Sequence, residues 1–221
     1  MGKISKKLRE ADVGSIGIGA MIIFIAMVLV AGIAASVLVQ TANRLEITAM
    51  QTGQHTTSEV SSGLHVVDIE GHIKTNDDID YIAIMVAPRA GSDDIDLDET
   101  YVEISDSSRK HILKYTSQGF KNQSEIDGSV FTAGFFTVLN ATEFGILVIQ
   151  DADGSCTWNN PVLNRGDKVL LTVYCAAAAC FAGEVAERVD IWGMVQAEDG
   201  SPGVFAFRTP ASYIDTVYDL Y

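Results

Sequence analysis

Ser15-Ile16-Gly17-Ile18-Gly19-Ala20-Met21-Ile22-Ile23-Phe24-Ile25-Ala26-Met27-Val28-Leu29-Val30-Ala31-Gly32-Ile33-Ala34-Ala35-Ser36-Val37-Leu38-Val39 contains no charged side chain. Wound as a helix, residues 16–39 rise about 36 Å at ~1.5 Å per residue, enough to cross a hydrocarbon core of ~30 Å. Buried helices of soluble cores are seldom so long or so uniformly apolar, so this block predicts a membrane phase in the life of the chain. Before it, Lys3, Lys6, Lys7 and Arg9 face only Glu10 and Asp12, a net of +2; the whole chain is −14, which leaves −16 for the rest. A basic flank stays on the cytoplasmic side, placing the acidic remainder outside the cell. Nucleic acid is excluded as a partner, because phosphate binding needs clustered cations that this chain lacks.

Beyond Val39 the sequence turns polar without breaking. Residues 40–62 hold no proline and a single glycine, Gly53. Val37, Leu38, Ala42, Leu45, Ala49 and Met50 keep a spacing of three and four, which draws one apolar stripe along an otherwise polar rod. Ser61-Ser62-Gly63 is the expected stop, with Gly63 free to take a left-handed conformation. From Leu64 the pattern changes to short β-branched runs between turn residues, which is how an all-β sandwich or barrel reads. Strands are expected over 64–70, 79–87, 100–105, 110–115, 130–139, 144–150, 167–174, 188–196 and 203–208. Over 167–175 the alternation sends Val169, Leu171, Val173 and Cys175 to one face. Over 188–196 it sends Val189, Ile191, Gly193 and Val195 inward and Arg188, Asp190 and Trp192 outward. The fold class is α+β, a long N-terminal helix followed by an immunoglobulin-like β-sandwich. Its expected divisions are 1–14, 15–62 and 63–221.

A secretory signal is one alternative, with Ile33-Ala34-Ala35-Ser36 as its cleavage site. Against it, the apolar stretch is too long and the helical pattern runs straight through the cut. Val13-Gly14-Ser15-Ile16-Gly17-Ile18-Gly19-Ala20-Met21-Ile22-Ile23-Phe24, continuing to Ala31, closely resembles the start of the archaeal flagellins (archaellins). Bacterial type IV pilins carry a glutamate five residues after the cut, where this chain has Gly19. Asn164-Arg165-Gly166-Asp167-Lys168-Val169 and Phe207-Arg208-Thr209-Pro210-Ala211-Ser212-Tyr213 are similar to later segments of the same family. The resemblance implies that a prepilin-type signal peptidase cuts between Gly14 and Ser15 on the cytoplasmic side, so that the apolar helix is retained.

Physical chemistry agrees with retention. Gly17, Gly19, Gly32 and Ser36 are small residues that let neighbouring helices approach, Gly32 and Ser36 forming a small-xxx-small pair. With Ile22 and Phe24 they are the candidate packing residues. Such a helix exchanges lipid contacts for helix contacts with little hydrophobic loss, because it avoids water in both places. Head-to-tail copies whose rotation does not close form an open helical filament.

Other candidate sites are fewer. Asn122-Gln123-Ser124 and Asn140-Ala141-Thr142 are N-glycosylation sequons. Cys175 and Cys180 flank a linker short enough for a disulfide, and small buried hydrophobes are the alternative. Asp151-Ala152-Asp153-Gly154-Ser155 begins like half of a calcium loop, but Val162 stands where the bidentate glutamate belongs, so a hairpin turn is expected and no metal site. His55, His65, His72 and His111 are scattered, with no nucleophile motif and no phosphate loop, so neither an enzyme nor a cofactor is expected. The resemblance implies a structural subunit of the archaellum filament, at the cell surface after a stage in the cytoplasmic membrane. Its implied partners are copies of itself, sister archaellins, the peptidase, a membrane assembly platform and a motor ATPase. The competing readings are an adhesive archaeal pilin, a single-span anchored surface protein and a secreted β-sandwich.

Overall fold

The computed structural model describes residues 2–73, 78–126, 128–132, 134–175 and 185–221. Helix α1 (Gly2–Ser61) is one unbroken element, so the helix expected over 15–62 begins earlier and takes in the basic leader. It stops where turn chemistry said it should. Gly63 has φ +150°, and a Cβ there would lie 2.4 Å from the Ser201 carbonyl oxygen. Ser201 N–H donates to the Ser62 carbonyl (2.9 Å), and Leu64 N–H donates to that of Ser201 (3.2 Å). The chain divides into two units, Met1–Gln54 and His55–Tyr221.

The second unit is built from β1 (Leu64–Ile73), β2 (Ile79–Pro88), β3 (Ile95–Asp96), β4 (Tyr101–Ser105), β5 (Lys110–Asn122), β6 (Glu143–Gln150), β7 (Cys156–Thr157), β8 (Asn160–Leu163), β9 (Lys168–Tyr174), β10 (Asp190–Gln196), β11 (Gly203–Arg208) and β12 (Val217–Asp219). Nine of these form one sheet in the order β11-β10-β4-β5-β6-β9-β2-β1-β12, and β3, β8 and β7 form a small second one. The large sheet folds over. Val102, Ile104, Leu113, Ile191, Val195, Phe205 and Phe207 from one arm share a core with Leu64, Ile69, Ile82, Ile84, Ile146, Leu171 and Val173 from the other. The two inner faces therefore pack as a sandwich, although hydrogen bonds join them into one sheet. In β9 the expected set Val169, Leu171, Val173 and Cys175 enters the main core, but Leu170 and Thr172 on the opposite face are buried as well, Leu170 in the cluster of Phe131 and Phe136. In β10 Ile191 and Val195 are buried and Trp192 faces out, as expected.

Residues 130–139 correct the sequence reading. They form 3-10 turns at Val130–Thr132 and Gly134–Val138 instead of a strand. The reason lies in the pattern, where Val130-Phe131 and Phe135-Phe136 are apolar pairs rather than alternating positions. Phe131 and Phe136 bury themselves on Tyr81, Ala83, Leu147 and Leu170, which covers the outer face of the β2–β9–β6 arm. Topology asks for this segment as well. β5 and β6 pair in parallel, and parallel neighbours need a crossover between them. At that seam Gly145 is required, since a Cβ would stand 2.4 Å from the Gly119 carbonyl oxygen.

Candidate functional site

The long helix is the candidate site, and its chemistry follows from what does not cover it. Fifteen large apolar side chains within residues 16–39, from Ile16 to Leu38 and Val39, are 52–72% accessible. Left in water at ~1.5–3 kcal/mol each they would cost roughly 20–45 kcal/mol, more than the ~5–15 kcal/mol net stability of a domain. A lipid bilayer or other helices must cover them. The candidate packing residues lie in this stretch: Ile22 and Phe24 are 62% and 69% accessible, and a Cβ added at Gly17, Gly19 or Gly32 would meet nothing within 4 Å. Gly14 and Ser15 lie within α1, and Ser36 is exposed.

Helix polarity is muted further along. Thr41 donates its hydroxyl to the Leu38 carbonyl (2.9 Å), Thr48 to that of Arg44 (2.8 Å) and Thr52 to that of Thr48 (2.8 Å). Hydroxyls satisfied within their own helix cost little when a second helix approaches. Leu38, Leu45 and Met50 of the amphipathic stripe are exposed, giving that half of the rod an apolar line for a partner.

Elsewhere the expected residues fall as follows. Asn122, at the end of β5, is exposed, and so is Asn140, whose Nδ2 donates to Glu143 Oε2 (2.8 Å). Cys175 is buried, and Cys180 lies outside the described residues. Cys156 is buried as well, and its thiol is pushed up to about 12 by burial and then by the charges of Asp151 and Asp167, so it stays protonated and unreactive at neutral pH.

Sequence reasoning missed one grouping. Asp167, buried ahead of β9, joins Asp151 and Asp153, with one carboxylate oxygen from each within 4.8 Å of the others. Asp151 accepts from the backbone N–H of Gly154 (2.7 Å) and Cys156 (3.2 Å), Asp153 from Asn164 Nδ2 (2.6 Å), and Asp167 from Asn164 N–H (3.0 Å). The Ser155 hydroxyl and backbone N–H, together with Asn164, hold the Asp153 carboxyl below its ordinary value. All-oxygen donors of this kind suit a hard divalent cation, and the same carboxylates also tie the turn at 151–155 to the entry of β9. A twelve-residue loop pattern does not reveal Asp167, because folding rather than spacing brings it in.

The model of the archaeal-type flagellins matches residues 14–207. The chain belongs to the archaeal flagellin family. It is 42% identical over 203 residues to Flagellin B2 of Methanocaldococcus jannaschii, covering 92% of each chain. It is 39% identical over 240 residues to Flagellin B3 of Methanococcus voltae, covering 97% of this chain and 99% of that one. Among solved structures, the crystal structure of archaeal flagellin FlaB1 from Methanocaldococcus jannaschii superposes with a TM-score of 0.64 at 33% identity, covering 72% of this chain and 96% of the other. The archaeal flagellum of Methanospirillum hungatei strain JF1 shares the fold at TM-score 0.61 and 14% identity, covering 92% and 98%. As an archaellin, the chain is a structural subunit of the archaeal flagellar filament, a cell-surface appendage in which it assembles with other archaellins.

Proposed function

We propose that the apolar helix is the element that polymerises: residues 1–14 are a leader removed by a prepilin-type peptidase, residues 15–62 anchor the chain in the cytoplasmic membrane and then form the filament core, and residues 63–221 form the outer domain. The observation that carries this is the uncovered, uncharged helix surface over residues 16–39, which water cannot solvate and which the first unit does not bury. The family match begins at Gly14, which leaves the basic leader outside it. A trimmed helix from Ser15 to Ser61 would be about 70 Å long at ~1.5 Å per residue, with the membrane-length part at its start. Gly17, Gly19, Gly32 and Ser36 permit close approach between copies, while Ile22 and Phe24 fill the space between helices. An assembly platform and a motor ATPase on the cytoplasmic side complete the partners, and sugars on Asn122 and Asn140 would decorate the outer domain.

N-terminal sequencing of protein from sheared filaments tests this reading. Ser15 is the expected first residue; a start at Met1 means a permanent anchor, and a start near Val37 means a secreted domain, and either result overturns it.

A further inference from the structure

The two arms of the folded sheet differ on their outer sides. One is covered by Phe131 and Phe136. On the other, β11-β10-β4-β5, Trp192, Ile112, Val204 and Tyr101 are 36–64% accessible, and nothing among the described residues covers them. Strand register gathers these side chains. Met194 sits opposite Val204 on one side and Glu103 on the other, Glu103 sits opposite Ile112, and Trp192 and Gln196, two residues either way, sit opposite Ser105 and Tyr101. An exposed apolar patch that includes a tryptophan marks an interaction surface.

Charge identifies the occupant. Residues 107–124 carry Arg109, Lys110, Lys114 and Lys121, four of the ten cations in residues 63–221. Lys110, Lys121 and Arg208 are paired with Glu103, Glu125 and Asp190, so Lys114 is the cation that the patch offers to a partner. Lys114, opposite Tyr101, is exposed on the patch, and Lys110 Nζ lies 2.6 Å from Glu103 Oε1. The same unit holds the complement: a pocket lined by Ser58, Ser62, Asp93, Asp94, Ile95, Asp96, Glu198 and Asp199, with five carboxylates and no Lys or Arg. Face against face would leave the five carboxylates of the pocket without a cation. Face against pocket joins unlike surfaces, and such a heterologous contact continues along a filament instead of closing a dimer.

We infer that the outer face of β4 and β5, around Lys114, Ile112 and Trp192, docks the Asp93–Asp96 and Glu198–Asp199 pocket rim of a second copy of this chain. The inference rests on the filament reading above. Carbodiimide cross-linking of intact filaments, followed by mass spectrometry, tests it. Lys114 is expected to link to one of those rim carboxylates in filaments, and the link is lost once they are depolymerised, whereas the Lys110–Glu103 link persists in both. Lys114→Glu is expected to lower the salt concentration at which filaments come apart, and adding Asp94→Lys to that variant is expected to restore it. Filaments in which Lys114 links only within its own chain or to a different protein, or in which the paired substitution gives no rescue, overturn the docking contact and leave the filament reading intact. Absence of filaments from the unmodified chain overturns both.

Discussion

Gly32→Leu is expected to abolish filament assembly while leaving the chain helical and inserted in the membrane. Within one chain the substitution is harmless or better, since a Cβ at Gly32 meets nothing within 4 Å and leucine is favoured over glycine in a helix by ~1 kcal/mol. Between chains it is costly. Extra methylenes forced into a close helix contact cost ~1–3 kcal/mol each time the contact recurs, and 1.4 kcal/mol is a factor of ten in an association constant. Because every subunit carries the change, the filament loses the contact at every step. Counting filaments by electron microscopy alongside the amount of protein in the membrane fraction separates the two effects. A normal yield of filaments would remove Gly32 from the packing surface.

Phe136→Ala is the largest stability effect expected in the β unit. Phe136 is fully buried, with its ring centroid 4.6 Å from that of Tyr81 and 5.8 Å from that of Phe131. Truncating a buried phenylalanine costs ~3–5 kcal/mol, a large part of the ~5–15 kcal/mol that holds a domain together. Urea unfolding of residues 55–221, compared with the same fragment carrying Phe136→Ala, reads this as a fall in the midpoint. Trp192→Ala is the control. Its side chain is 44% accessible on the open arm, and surface substitutions usually stay within ~0.5 kcal/mol. If the two variants melted alike, the crossover would not be part of the core.

Local pattern made much of this structure legible. An uncharged run of membrane length, a continuous polar helix behind it and a glycine stop define α1 up to Ser61 without tertiary information. Period-two alternation identified the main-core faces of β9 and β10 for the same reason, since each residue's face follows from its neighbours, but not the burial of Leu170 and Thr172 on the opposite face of β9. What failed was decided by distant contacts. Residues 130–139 read as a strand by composition, yet they serve as a crossover whose Phe131 and Phe136 lie across the sheet. β3, β7, β8 and β12 run two to four residues, too short to alternate, and exist because a partner strand fixes them. Asp167 meets Asp151 and Asp153 only because the turn at 151–155 folds back on the entry to β9. The apolar surface of the helix stood out because a single chain leaves it bare.

A cryo-electron microscopy reconstruction of the filament at side-chain detail tests most directly whether the bare apolar helix becomes the core. The axis is expected to be a bundle of helices beginning at Ser15, with Gly32 and Ser36 at the closest helix contacts and the β unit on the outside. A filament whose axis is formed by the β units, with residues 15–39 missing or on the surface, would contradict it.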